Sequence, residues 1–355
     1  MMIIIDGIIF TLQKFGGISV YTNELITRML KDNHPCTILT YGNENPHFKP
    51  EIKKISKLQK IRLSLKLERY LPVLIPLKPI KNKKIFHSSY YRLPDNKFDG
   101  YIITTVHDFI YEKYKKGLPR IIHSWQKKKA VKNSDVIICI SENTKEDLIK
   151  FYPWVDKKKL HVVYNGVSDD FYPINKKKEK YKTEKKILFV GQRDGYKNFN
   201  ILVDALSASS EYSLIIVGSK LKNKEKMYLD NKIKNRYIQY SNVSNNELNV
   251  LYNSAFALIY PSLYEGFGIP VIEAMKAGCP VIAANTSSIP EISRGAAILL
   301  NNINVHSILD ALQKLKSPKF RDNIIKMGLN NSSLFSWDYT WTHTKKIYDE
   351  LLQES

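Results

Sequence analysis

YPSLYEGFGIPVIEAMKAGCPVIAAN, residues 260–285, carries the end of one apolar run, a glycine-bearing loop, a helix start and the opening of a second apolar run. Pro270 stands where the helix should begin, a first-turn position at which the missing N–H of proline costs nothing. Gly266 and Gly268 let the backbone come close to a ligand, and the helix beyond them presents N–H groups and a positive dipole end. With Phe267 and Ile269 they make a candidate anion site suited to a diphosphate. Glu265 stands before this helix and Glu273 within its first turn. Carboxylates so placed accept hydrogen bonds from sugar and ribose hydroxyls, which tolerate a negative neighbour where a phosphate does not. A competing structural reading has Glu265 capping the helix and Gly268 serving a tight turn. Gly278 closes the helix and Pro280 opens the next strand.

Upstream, KILFVGQRDGYKNFNILVDAL at 186–206 repeats the order of strand, glycine turn and amphipathic helix. Gly191 permits the turn, and Arg193 and Lys197 lie in the loop. Cations there neutralise charge developing on a departing nucleotide diphosphate, since open α/β sheets bind ligands at the carboxyl ends of their strands. Nearer the amino terminus, FGGIS at 15–19 precedes a helix expected to begin near Val20, so Gly16 and Gly17 can bring backbone N–H groups to a phosphate or acceptor. TTVHD at 104–108 ends another predicted strand. His107 there is a candidate to bond a donor-sugar hydroxyl or shape acceptor binding, and Asp108 to contact acceptor or cap the next segment.

The same alternation runs through the chain. Apolar runs MIIIDGIIF, TILTY, KKIFHSSY, YIITTVHD, DVIICIS, KLHVVYNG, KILFVG, SLIIVG, FALIYPS, PVIAAN and AAILL are separated by segments with helical periodicity, including 21–30, 143–151, 199–206 and 245–253. Continuous apolar runs mark strands covered on both faces, and their alternation with helices predicts an α/β fold with parallel sheets. Residues 168–186 are dense in lysine and without apolar periodicity, which places a linker at 171–185 between domains at 1–170 and 186–336.

The chain has 355 residues, 43% hydrophobic and 25% charged, enough for two ordinary α/β cores with a cleft between them. Lys and Arg number 55 against 34 Asp and Glu, a formal net charge of +21 that calls for an anionic partner. No zinc pattern, RNA-binding signature or basic helix-turn-helix accompanies the charge, so nucleic acid is not the expected partner. From 53 to 84 basic residues alternate with Ile and Leu at three- and four-residue spacing, which reads either as a helix packed on its own domain or as docking on an anionic membrane surface. No run reaches the roughly 20 apolar residues that span a bilayer, and MMIIIDGIIF lacks a basic leader and cleavage site, so a cytoplasmic chain is expected. Cys36, Cys139 and Cys279 show no CxxC spacing and read as buried free thiols.

These residues resemble family-four glycosyltransferases, retaining nucleotide-sugar enzymes of GT-B fold (glycosyl transferases group 1), over nearly the whole chain. EGFGIPVIE at 265–273 is similar to the paired-glutamate motif of that family, and GQRDGYKNF at 191–199 to its phosphate loop, with Lys197 matching the diphosphate lysine. GGIS at 16–19, VHD at 106–108, ISENT at 140–144, NGV at 165–167 and FSW at 335–337 fit the same pattern. The resemblance implies two Rossmann-like domains, an acceptor domain first and a nucleotide-sugar domain second, with a final helix at 337–355 returning to the first. It implies transfer of a hexose with retention to a saccharide or lipid-linked acceptor, in cell-surface polysaccharide or lipopolysaccharide synthesis, with no metal or other cofactor. His107, Lys197 and Glu265 are then the catalytic candidates; Gly16, Gly17, Arg193, Gly266, Phe267, Gly268, Ile269, Pro270 and Glu273 join Lys197 and Glu265 in binding donor. One departure is that Gln192, not arginine, follows the loop glycine, which leaves Lys197 the firmer phosphate ligand than Arg193. Another GT-B enzyme, such as a nucleotide-sugar epimerase, is the alternative within the same architecture.

Overall fold

Each of the apolar runs named above becomes a parallel strand in the computed structural model, which describes residues 2–13, 16–42, 45, 50–59, 61, 64–75, 84–174, 185–193 and 195–353. The first unit comprises residues 1–166 and 337–355, the second 167–336. In the first, β1 (Met2–Asp6), β2 (Cys36–Thr40), β3 (Ser56–Leu58), β4 (Lys84–Ser88), β5 (Tyr101–Val106), β6 (Val136–Cys139) and β7 (Leu160–Val162) form one sheet in the order β3-β2-β1-β4-β5-β6-β7. In the second, β8 (Lys185–Val190), β9 (Tyr212–Val217), β10 (Tyr237–Tyr240), β11 (Ala257–Tyr260), β12 (Val281–Ala284) and β13 (Ile298–Leu300) are ordered β10-β9-β8-β11-β12-β13. Central strands such as β1 and β11 are apolar on consecutive residues because both faces are covered by helices, and Ile3, Ile4, Ile5, Leu258 and Ile259 are all buried.

The two strands without an apolar run, β3 and β10, are edge strands. Their side chains are half-buried to exposed, so the burial that writes a continuous apolar run is missing. MIIIDGIIF is shorter as a strand than it reads: β1 stops at Asp6, and Ile9–Leu12 form a helical turn after it. The chain turns at Gly7, whose N–H donates to the Leu39 carbonyl and where a Cβ would lie 2.8 Å from that oxygen.

The boundary between the units falls after residue 166 rather than 170. Val167 donates to the Phe335 carbonyl, and Phe171 is buried with its ring edge-on to Tyr252, so this stretch belongs to the second core. Of the expected linker 171–185, residues 175–184 lie outside the described ones. Helix Trp337–Gln353 packs into the first unit, with Trp337, Trp341 and Tyr348 in its core and the Trp341 indole N–H on Asp32 at 2.8 Å.

The basic segment 53–84 does not form one amphipathic helix. Its described residues contribute the end of helix Pro50–Lys54, strand β3 and the turn of helix Leu65–Glu68, because pairing of Ser56–Leu58 with β2 interrupts helical continuation. Residues 60, 62, 63 and 76–83 of that segment lie outside the described ones. Among the described residues no helix is long and apolar enough to cross a membrane.

Candidate functional site

In the second unit the strand order reverses between β8 and β11, so the loops that follow these two strands lie side by side at their carboxyl ends. The Leu263 N–H donates to the Tyr196 carbonyl at 2.8 Å and ties one loop to the other. The β8 loop passes through a 3-10 turn at Gly195–Lys197, then Asn198 in the left-handed region begins helix Phe199–Ser207. Asparagine tolerates that conformation better than most residues. Phe199 packs edge-on against Phe189 of β8 and anchors the turn, which presents Lys197 inward.

Lys197 and Glu265 form a buried ion pair, Nζ to Oε1. Nζ also lies 3.3 Å from the Tyr260 hydroxyl, and 5.3 and 5.2 Å from the Tyr196 and Tyr260 ring centres. A lysine held by a carboxylate and two aromatic faces is a preorganised cation, with its charge already drawn out of water. Burial, followed by the charge of Glu265, raises the Tyr260 hydroxyl well above its ordinary range, which keeps it a donor.

The β11 loop is held from behind by residues that the sequence reading did not select. Glu265 donates its N–H to Ser287 Oγ at 2.9 Å, and buried Ser288 donates Oγ to the carbonyls of Phe267 at 2.7 Å and Glu265 at 3.0 Å. Gly266 and Phe267 are buried, and Phe267 sits edge-on to Phe335. Gly268 caps helix Ile269–Lys276 with φ 106°, and a Cβ there would come within 2.6 Å of Ile289 Cδ1. The N-cap is therefore Gly268 and not Glu265, whose carboxylate faces Lys197 instead. Pro270 takes the first-turn position as read from the sequence.

Glu273 lies in the second turn of that helix rather than its first, and accepts a hydrogen bond from the Tyr252 hydroxyl at 2.9 Å. Burial pushes its carboxyl up to about 7, against the lowering influence of Tyr252. Its charge is also felt at Tyr260, so both glutamates border that tyrosine. Arg193 has other partners. Its guanidinium pairs with Glu225 at 2.8 Å and donates to the Ser219 carbonyl at 2.9 Å, bracing the segment after β9, while Nη1 is buried without a hydrogen-bond partner among the described residues. Asp194 lies outside the described residues.

The remaining candidates lie in the first unit. Helix Gly17–Lys31 begins at Gly17 and not near Val20, because Gly16 acts as the N-cap and its carbonyl accepts Val20 N–H at 3.1 Å and Ser19 Oγ at 2.9 Å. His107 and Asp108 directly follow β5. His107 is buried edge-on to Tyr21, 5.1 Å between ring centres, and burial lowers its imidazole to about 3, so it is neutral at ordinary pH. Asp108 accepts the Ile110 N–H at 2.9 Å from one residue before the N-cap Phe109 of the next helix, and its carbonyl accepts Lys127 Nζ at 2.6 Å. Phe15 of the FGGIS segment lies outside the described residues.

Residues 170–330 match the family described as glycosyl transferases group 1, and residues 15–171 match Glycosyltransferase Family 4. The chain belongs to the group 1 glycosyltransferase family. Within this family it is similar to the O-antigen chain mannosyltransferase RfbU of Salmonella typhimurium, 29% identical over 239 residues, which span 66% of this chain and 65% of RfbU. Among solved structures, sucrose-phosphate synthase from Thermosynechococcus elongatus superposes with TM-score 0.74 at 19% identity, over 100% of this chain and 99% of that one. HepE from Anabaena, solved with UDP and glucose, gives TM-score 0.72 at 14% identity over 98% and 99%. The fold is GT-B: two Rossmann-like α/β units with parallel sheets, as the resemblance implies.

Proposed function

We propose that the chain moves a hexose from a nucleotide-diphosphate sugar to a saccharide or lipid-linked acceptor, with retention at the anomeric carbon and without a metal, in cell-surface polysaccharide or lipopolysaccharide synthesis. The observation that carries this reading is the buried Lys197–Glu265 pair, set where the β8 and β11 loops meet beside the start of helix Ile269–Lys276. A departing diphosphate needs concentrated positive charge that does not reorganise during reaction, and Lys197 with the helix start supplies it. Glu265 has two uses: it orients the lysine before donor arrives, and it accepts hydrogen bonds from sugar hydroxyls when the phosphate takes over the ammonium. Glu273 is the partner for ribose hydroxyls. His107, neutral and buried after β5, is assigned to sugar hydroxyls or acceptor, and Asp108 to the acceptor side.

Mannose is the first hexose to try, since RfbU is named as a mannosyltransferase. A thermal-shift screen with UDP, GDP and ADP identifies the donor base. Transfer is then assayed with the matching sugar nucleotide, and the product anomer is read by NMR. Stabilisation by one diphosphate, a product of unchanged anomeric configuration and turnover indifferent to EDTA are the expected results. Absence of any nucleotide shift, or a product of inverted configuration, overturns the reading. The excess of basic residues supports work at an anionic, cytoplasmic membrane surface.

A further inference from the structure

Helix Gly117–Lys132 is divided lengthwise into two unlike faces. Inward it buries His123, Gln126, Lys127, Ala130 and Val131. Outward, at the same helical spacing, Leu118, Ile121, Ile122 and Trp125 are exposed at 70, 62, 39 and 53%. Four large apolar side chains gathered on one helix face are more than the scattered surface hydrophobes of an ordinary protein. The stripe continues in the later turns as exposed Lys128, Lys129 and Lys132, with Lys129 Nζ 5.3 Å from the Trp125 ring centre. The helix contains no acidic residue, and the carboxylates near its base are already engaged, Glu112 by Lys127 at 2.8 Å and Asp147 by Lys113 at 2.6 Å.

We infer that this face docks the protein on an anionic lipid bilayer, with Leu118, Ile121 and Trp125 entering the headgroup boundary and the lysines over the anionic headgroups. The chemistry favours lipid: the apolar part is a narrow ridge with an interfacial tryptophan, and the charge beside it is of one sign. The inner face gives the docking a consequence. Lys127 grips the Asp108 carbonyl, and the His123 ring stacks on Tyr111 with centres 3.8 Å apart. The ridge and the loop that carries His107 and Asp108 thus move as one piece, so lipid contact sets the height of that loop above the headgroups.

Vesicle binding needs neither donor nor acceptor, so its failure leaves the transferase reading intact and failure of transfer leaves the docking intact. Full-length protein is sedimented with phosphatidylcholine vesicles, either pure or containing roughly a third phosphatidylglycerol. The expected result is binding to the anionic vesicles that weakens with salt. Ile121→Ser with Trp125→Ser should reduce partitioning at least roughly tenfold, and Lys128→Gln with Lys129→Gln and Lys132→Gln roughly fivefold per lysine. Circular dichroism, melting temperature and nucleotide-induced shift should match wild type in both variants, since the altered side chains point outward. Wild-type protein that ignores anionic vesicles, or an apolar variant that still binds them fully, overturns the inference. A wild-type dimer that the apolar variant dissolves, with no vesicle binding, assigns the face to a second copy and also overturns it.

Discussion

The polar groups at the sheet ends of the two units are arranged to opposite purposes. In the first unit they hold one another: Arg92, almost wholly buried, lies between Asp6 at 3.4 Å and Glu68 at 3.3 Å with the Tyr41 hydroxyl at 2.5 Å. His87 likewise bridges Tyr348 at 2.6 Å and Thr105 at 2.8 Å, and burial lowers its imidazole to about 4. In the second unit Lys197 has, among the described residues, a single carboxylate partner, and that partner sits on a glycine-bearing loop beside a helix start. A buried charge shared among several internal partners is architecture, whereas a preorganised cation next to an anion-favouring helix end has something left to bind. Polarity at a strand end therefore does not distinguish a site from a scaffold; the number of competing internal partners does.

The sharpest way to break this contrast is Arg92→Met. Leaving two buried carboxylates uncompensated should cost about 3–5 kcal/mol of stability, measured by denaturant unfolding. A loss below about 1 kcal/mol, the scale of an exposed pair, would mean that the first unit's network is not structural. Next, Lys197→Ala should remove about 2–4 kcal/mol of transition-state stabilisation, read as kcat/KM, with partial recovery in Lys197→Arg. Unchanged turnover would hand the diphosphate to another cation. Gly268→Ala forces a side chain into the left-handed region against Ile289 and should cost about 1–3 kcal/mol, visible together as a lower melting temperature and a weaker nucleotide shift.

The smallest effect concerns Glu273. Its carboxyl titrates near 7 when folded, above the ordinary carboxylate range of the unfolded chain, so the folded form holds the proton more tightly. The stability this confers is complete at acid pH and is lost as pH climbs through about 7. Melting temperature should fall from pH 6 to pH 8 by the equivalent of about 1–2 kcal/mol, allowing for partial solvent exposure. Glu273→Gln should flatten that slope. Nucleotide affinity should run the other way, rising toward pH 8 as the carboxylate becomes the better acceptor for ribose hydroxyls. An equal slope in both proteins removes Glu273 as the titrating group.

Much of this contrast could be read before folding, though unequally. Gly268 and Pro270 announce a helix start through backbone preferences that act within a few residues. Lys197 stands out among many lysines because it follows a strand run and matches the diphosphate lysine of the family it resembles, and the fold places it in the pair with Glu265. Ser287 and Ser288 lie in an ordinary-looking TSSIP stretch, and Tyr252 in a surface-like helix. Nothing local marks them, because their roles come from the neighbours that tertiary packing brings to them. Arg193 shows the reverse: a cation at the expected place, turned by the fold toward Glu225.

By itself the sequence determined the class of fold and the local units, because strands buried on both faces must be continuously apolar and helix starts must satisfy their backbone within one turn. Tertiary structure alone decided that β8 lies against β11, a pairing of Ala257 with Ile187 across a long stretch of chain. No short-range preference encodes that choice. It emerges from covering the whole sheet at once, and through it Lys197 meets Glu265.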